Sequence, residues 1–176
     1  MVTDPDFEKL LSDKDVKAKE KVATLSRLLL DGRFTIQQLI ELAQSANDIN
    51  KATLVESMEY ASRLQAGIID ERGFEFAIES LRCTAPRLKW ESAKVIANTA
   101  QLFPGLLKKA TVNLLDNTEH SGTVVRWSAA GALSKILLCK TDLNSELIPA
   151  MKAIEKREED NAIKKIYQQA LKKVTK

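Results

Sequence analysis

Apolar residues recur along the chain at intervals of three and four, the period of helices with one buried face. The pattern also repeats on a longer scale. Ser26-Arg27-Leu28 returns 36 residues later as Ser62-Arg63-Leu64, with Glu20 matched by Glu56. Glu56-Ser57 falls on Glu91-Ser92 at a shift of 35, Trp90 on Trp127 and Ala93 on Ala130 at 37, and Ala132-Leu133 on Ala170-Leu171 at 38. Steps of this size suit a helix-turn-helix unit. With the copies in register, one column reads Leu25, Ala61, Ile96, Leu133, Leu171, and three residues on comes Leu28, Leu64, Thr99, Ile136, Val174. Beside them runs Thr24, Tyr60, Val95, Ala132, Ala170, on the same arc of the wheel. The column Lys21, Ser57, Ser92, Ala129, Tyr167 is mostly small, which predicts that neighbouring first helices cross closely. Arg27, Arg63, Asn98, Lys135 and Lys173 lie nearly opposite the apolar arc and form a polar, largely basic ridge.

Between the copies lie second helical segments, predicted over Thr35–Ala46, Asp70–Cys83, Pro104–Asp116 and Asn144–Arg157. Gly32 stands where a C-terminal cap belongs and Thr35 can cap the next helix; Gly67 and Asp70 are expected to repeat that arrangement. Pro86 suits a first turn, and Pro149 should kink its helix or mark a late start. The organisation expected is a leading arm or short helix over 1–15 and one repeat domain over 16–176. Its units span about 16–48, 49–84, 85–121 and 122–160, with a capping helix over 161–176.

The stretch from Leu114 to Ile136, LLDNTEHSGTVVRWSAAGALSKI, resembles HEAT repeat sequence. Asp116, Val125, Arg126, Ala129, Ala132, Leu133 and Ile136 sit on that family's pattern, and Leu88-Lys89, Ala93 and Ile96 follow it one repeat earlier. The resemblance implies an all-α, right-handed superhelix of about four helix pairs whose second helices line a concave surface. It also implies a scaffold or adaptor that holds a protein or peptide. Some relatives of that fold bind nucleic acid, and the alkylpurine DNA glycosylases among them excise bases. Stacked repeats expose extended surfaces suited to broad contacts, from which the chain is expected to bind rather than to act as an enzyme.

Composition narrows the partner. The 176 residues are 44% hydrophobic, 29% charged and only 5% aromatic, which argues against all-β folds and disorder. No apolar run approaches the roughly 18 residues of a membrane span, and Met1 to Phe7 hold no signal segment, so a cytoplasmic address is expected. Cys83 and Cys139 stand 56 residues apart with no metal-ligand spacing, and neither metal nor cofactor is expected. The lysine-rich last helix predicts a capped monomer. Residues 1–88 carry a net charge of −3 and residues 89–176 of +6, so any anionic partner would favour the second half.

Catalytic signals are thin. His120 beside Glu119 has no second His or Cys at ligand spacing and reads as an exposed loop residue. Trp90 and Trp127 occupy equivalent positions in consecutive repeats, where they either fill the gap between repeats or offer an aromatic platform. Lys94, at i+4 from Trp90, could lie over its ring. For partner binding the candidates are these three residues with Arg126, and on the second helices Lys108, Lys109 and Asn113, then Lys152 and Lys156. Gln37, Gln38, Glu41, Glu75 and Glu79 would continue that second-helix surface toward the acidic end. A base-excising relative would need an acid near an aromatic pair, and Asp116, read as a loop residue, is the one at hand.

Overall fold

The computed structural model describes residues 6–174, so Met1–Pro5 of the leading arm and the last two residues of the capping helix lie outside it. The described residues form ten α-helices and no strand: α1 (Phe7–Ser12), α2 (Ala18–Leu30), α3 (Ile36–Ser45), α4 (Asp48–Leu64), α5 (Glu71–Ser80), α6 (Pro86–Thr99), α7 (Leu107–Asn117), α8 (Thr123–Leu138), α9 (Asn144–Arg157) and α10 (Asn161–Val174).

Local chemistry sets the boundaries. The Thr35 hydroxyl accepts from the Gln38 amide and the Gln38 side chain accepts in return from the Thr35 amide, a reciprocal cap that starts α3. Asn47 and Asp70 cap α4 and α5 one way, their side chains accepting from the amides of Asn50 and Gly73, and Pro86 opens α6. Gly32 adopts φ +69° just after α2, the left-handed turn that glycine takes without strain. Gly67 does not repeat this role: α4 ends at Leu64, and Gly67 sits in a 3-10 turn, Ala66–Ile68, that carries the chain to Asp70. α9 runs straight through Pro149. The missing amide falls on an exposed turn, where water can serve the carbonyl left without its donor.

Helices α2, α4, α6, α8 and α10 pack side by side as one layer, and α3, α5, α7 and α9 form a second. Each of α5, α7 and α9 rests chiefly on the first helix of the following repeat. Ser57, Ser92 and Ala129 are fully buried between first helices, where larger side chains would hold the axes apart. The second helices touch one another far less. Two layers built on the same repeats but spaced unequally bend toward the tighter one, a tendency that favours the first helices as the inner side, whereas the family resemblance puts the second helices there.

One continuous core runs from Leu11 through Leu25, Met58, Ile96 and Leu133 to Leu171. α1 closes its start: Phe7 lies on Phe34 with ring centroids 4.1 Å apart, and Lys21 Nζ donates to the Leu11 carbonyl at 2.6 Å. Gly73 of α5 is packed so closely that a β-carbon there would meet Ile36 at 2.8 Å. Hydrogen bonds between repeats recur at the repeat spacing. Asn98 Nδ2 donates to Ser62 Oγ at 3.0 Å, Asn113 Nδ2 to the Ile78 carbonyl at 3.0 Å, and Asn117 Nδ2 to the Leu81 carbonyl at 3.2 Å. The last two satisfy carbonyls at the C-terminal end of α5 that the helix itself leaves open.

Two substitutions test the small-residue crossing. Ser92→Leu forces a branched side chain between α6 and its neighbours and lowers unfolding free energy by about 1–3 kcal/mol. Ser92→Ala removes a buried hydroxyl that has no hydrogen-bond partner and leaves stability unchanged or slightly raised. Urea denaturation followed by circular dichroism measures both; equal effects would mean that the crossing has room to spare.

Candidate functional site

The face presented by α4, α6 and α8 gathers the exposed large side chains of the first layer. At its N-terminal end Trp127 is 48% exposed and Val124, one turn before it, is 51% exposed. Trp90, in the matching place on α6, is half-buried and its indole N–H donates to Glu91 Oε1 at 2.7 Å. The two indoles therefore do different things. Trp127 offers an open aromatic surface, while Trp90 is fixed by a carboxylate.

Beneath this surface lie two buried glutamates from adjacent repeats. Lys94 Nζ stands 3.0 Å from Glu91 Oε2 and 3.5 Å from Glu59 Oε2, and Arg63 Nε is 3.7 Å from Glu59 Oε1. Lys94 thus turns to the carboxylates rather than resting on the Trp90 ring. Arg87 pairs with Glu56 across the same two helices. These pairs neutralise the acidic groups of the face and tie α4 to α6.

At the C-terminal ends of the same helices lies an open groove of about 570 Å³. Arg63, Asn98 and Lys135, one from each of three consecutive repeats, share its lining with Leu64, Ala97 and Leu138. This is the basic ridge of the sequence, placed on the first-helix layer. Leu64 belongs to an apolar column but is 64% exposed, because α4 ends there and the chain turns away. Tyr60 is also exposed, with the Arg63 guanidinium 5.0 Å from its ring centre.

The remaining candidates fall elsewhere. Lys108, Lys109, Lys152 and Lys156 are exposed on α7 and α9, in the opposite layer. Asn113 shares that helix but spends its amide on the Ile78 carbonyl, so it is a structural tie. Arg126 is likewise committed: its guanidinium reaches Glu158 at 3.1 and 3.3 Å and donates to the carbonyls of His120 and Ser121 at 3.0 and 3.1 Å. Among the earlier second-helix candidates, Gln37 bonds to Glu41 and Arg72, and Gln38 serves the α3 cap. Asp116 lies in the last turn of α7 rather than in a loop, in the layer opposite the tryptophans. His120 is only partly exposed; its Nδ1 accepts from the Gly122 amide at 2.9 Å. Tyr60, Leu64 and Val124 were missed because helical phase put Tyr60 and Leu64 in the core arc and nothing marked Val124 as exposed.

Burial alone would push the Glu158 carboxyl up, but hydrogen bonds from Arg126 and the Asp160 amide, with the guanidinium charge, outweigh it. They hold the group below the ordinary carboxylate range.

No family model matches the chain, and no curated protein matches it by sequence. Solved structures do match its fold. A phycocyanin lyase complex of CpcE and CpcF from Nostoc sp. superposes with a TM-score of 0.73 at 18% identity, covering 93% of this chain and 96% of that one. A designed armadillo repeat protein in complex with the peptide (KR)4 gives 0.70 at 19% identity, covering 94% and 79%. Computationally designed armadillo repeat proteins for modular peptide recognition give 0.66 at 18%, with the same coverage. The chain is a HEAT/armadillo-like α-solenoid.

The first of these matches overturns the expectation that the chain is not an enzyme. That expectation rested on the architecture, and a structure described as a phycocyanin lyase has the same architecture. For location, no described helix is long and apolar enough to cross a membrane.

Arg126→Met should leave the buried Glu158 carboxylate without its main partner and cost about 2–4 kcal/mol at pH 7 in chemical denaturation. Because the folded-state pKa of Glu158 is depressed, its stabilisation is full above the unfolded value, about 4.3, and is lost as pH falls through the lower folded value. The gap between wild type and variant therefore narrows below pH 4. A gap unchanged at pH 3 would show that the pair does not carry the effect.

Proposed function

We propose that this solenoid is a binding module that holds an extended protein segment across the first-helix face, with Trp127 as its aromatic anchor. The observation that carries the reading is the exposure of Trp127 and Val124 on α8, the helix whose C-terminal end lines a groove spanning three repeats. Large aromatic side chains left open on a rigid helical surface are the usual centres of binding energy. Two of the structural matches support a peptide as occupant: one carries a bound peptide and another was designed for peptide recognition. A scaffold or adaptor role follows from holding such a segment.

A nucleic-acid partner fits the same surface less well. Arg87, Lys94 and Arg126 are each paired with carboxylates, which leaves few free cations on this face. Duplex binders commonly make six to ten phosphate contacts. The Glu91 carboxylate held against Trp90 would also repel a phosphate backbone.

Panning a random twelve-residue peptide library on the folded chain tests this reading. Selected peptides should lose at least tenfold in affinity for Trp127→Ala while keeping it for the Lys108→Glu/Lys152→Glu double variant. Peptides lost with the lysine pair but indifferent to Trp127 would move the site to the second-helix layer. Selection of no peptide, with salt-sensitive binding of duplex DNA at about 50 mM salt, would replace it with nucleic-acid binding.

A further inference from the structure

Resting on that proposed reading, we infer that the partner segment is acidic, with carboxylates about five or six residues apart at the two ends of a neutral stretch. The groove supplies the argument. Its lining contains the cations Arg63 and Lys135 and no Asp or Glu. Three other cations of α6 and α8 already have carboxylates: Arg87 has Glu56, Lys94 has Glu59 and Glu91, and Arg126 has Glu158. Lys135 is exposed and has no carboxylate partner among the described residues. Arg63 touches Glu59 at 3.7 Å, but its side chain is 57% exposed and spreads over the Tyr60 ring.

Spacing gives the register. Arg63 and Lys135 belong to the same column two repeats apart, with Asn98 between them. Neighbouring helices pack with axes about 8–10 Å apart, so the two cations stand roughly 16–20 Å apart. An extended chain advances about 3.3 Å per residue and covers that span in five or six residues. Asn98 and Ala97 in the middle carry no charge, so the stretch between the two acidic ends meets a neutral floor. Lys135 lies two turns, about 12 Å, along α8 from Trp127, which puts an apolar residue of the partner within about four residues of the acid at that end. The designed armadillo protein in the comparison holds (KR)4; the cations lining this groove call for the opposite sign.

Fluorescence anisotropy with labelled ten-residue peptides tests the inference directly. One peptide carries a Glu pair at each end of four neutral residues with a terminal Leu; a second replaces every Glu by Lys; a third keeps four Glu but places them together. The first should bind at least tenfold tighter than the second and several-fold tighter than the third. Lys135→Glu should remove at least tenfold of that affinity, and Arg63→Gln several-fold, with circular dichroism unchanged. Equal or tighter binding of the Lys peptide, or of a ten-residue oligothymidylate, overturns the inference. If the Lys peptide binds and Trp127→Ala abolishes it, the acidic partner is wrong and the surface stands. If none of the three binds while panned peptides still depend on Trp127, the inference falls alone. If panned peptides ignore Trp127 as well, both fall.

Discussion

Everything in this molecule depends on how closely the first helices approach one another. Ser57, Ser92 and Ala129 occupy one column and are fully buried, so no bulky side chain separates α4, α6 and α8. The second helices touch one another far less. The close first-helix packing brings Arg63, Asn98 and Lys135 from three repeats into one groove, and the unequal contact between layers favours that ridge as the inner side of the stack.

Close packing of amphipathic helices also forces charged residues near the layer under cover, and pairing resolves that conflict. Glu59, Glu91 and Glu158 are nearly buried, yet each meets a cation: Lys94 serves Glu59 of the preceding repeat and Glu91 of its own helix, and Arg126 serves Glu158. A buried ion pair is weak evidence of net stability, because desolvation offsets the attraction. Its stronger consequence is specificity of register: a slip of one helix turn would strand a carboxylate in the core. What remains unpaired afterwards, Lys135 and the outward half of Arg63, is what the groove has to offer a partner.

Much of this was legible in the residues. The repeat steps located the alternation of first and second helices from α2 to α10, and Thr35, Asp70 and Pro86 mark helix starts because capping is local chemistry. The small column predicted close crossing. What failed did so where a side chain's fate is decided by chain beyond its own helix. Arg126 and Asn113 read as surface residues because their partners, Glu158 and the Ile78 carbonyl, lie 32 and 35 residues away. Leu64 read as core because periodicity cannot see that α4 stops there. The direction of curvature was not legible because it depends on the relative spacing of two layers, which no single column encodes.

The direction of that curvature is the central claim, and pulsed dipolar electron resonance measures it. Spin labels would be placed, in a background with Cys83 and Cys139 replaced by Ser, either at positions 63 and 135 of the first layer or at 79 and 152 of the second. Each pair spans two repeats. The account predicts a clearly shorter mean distance for 63–135 than for 79–152. Equal distances, or a shorter one in the second layer, would contradict it and return the inner surface to α5, α7 and α9.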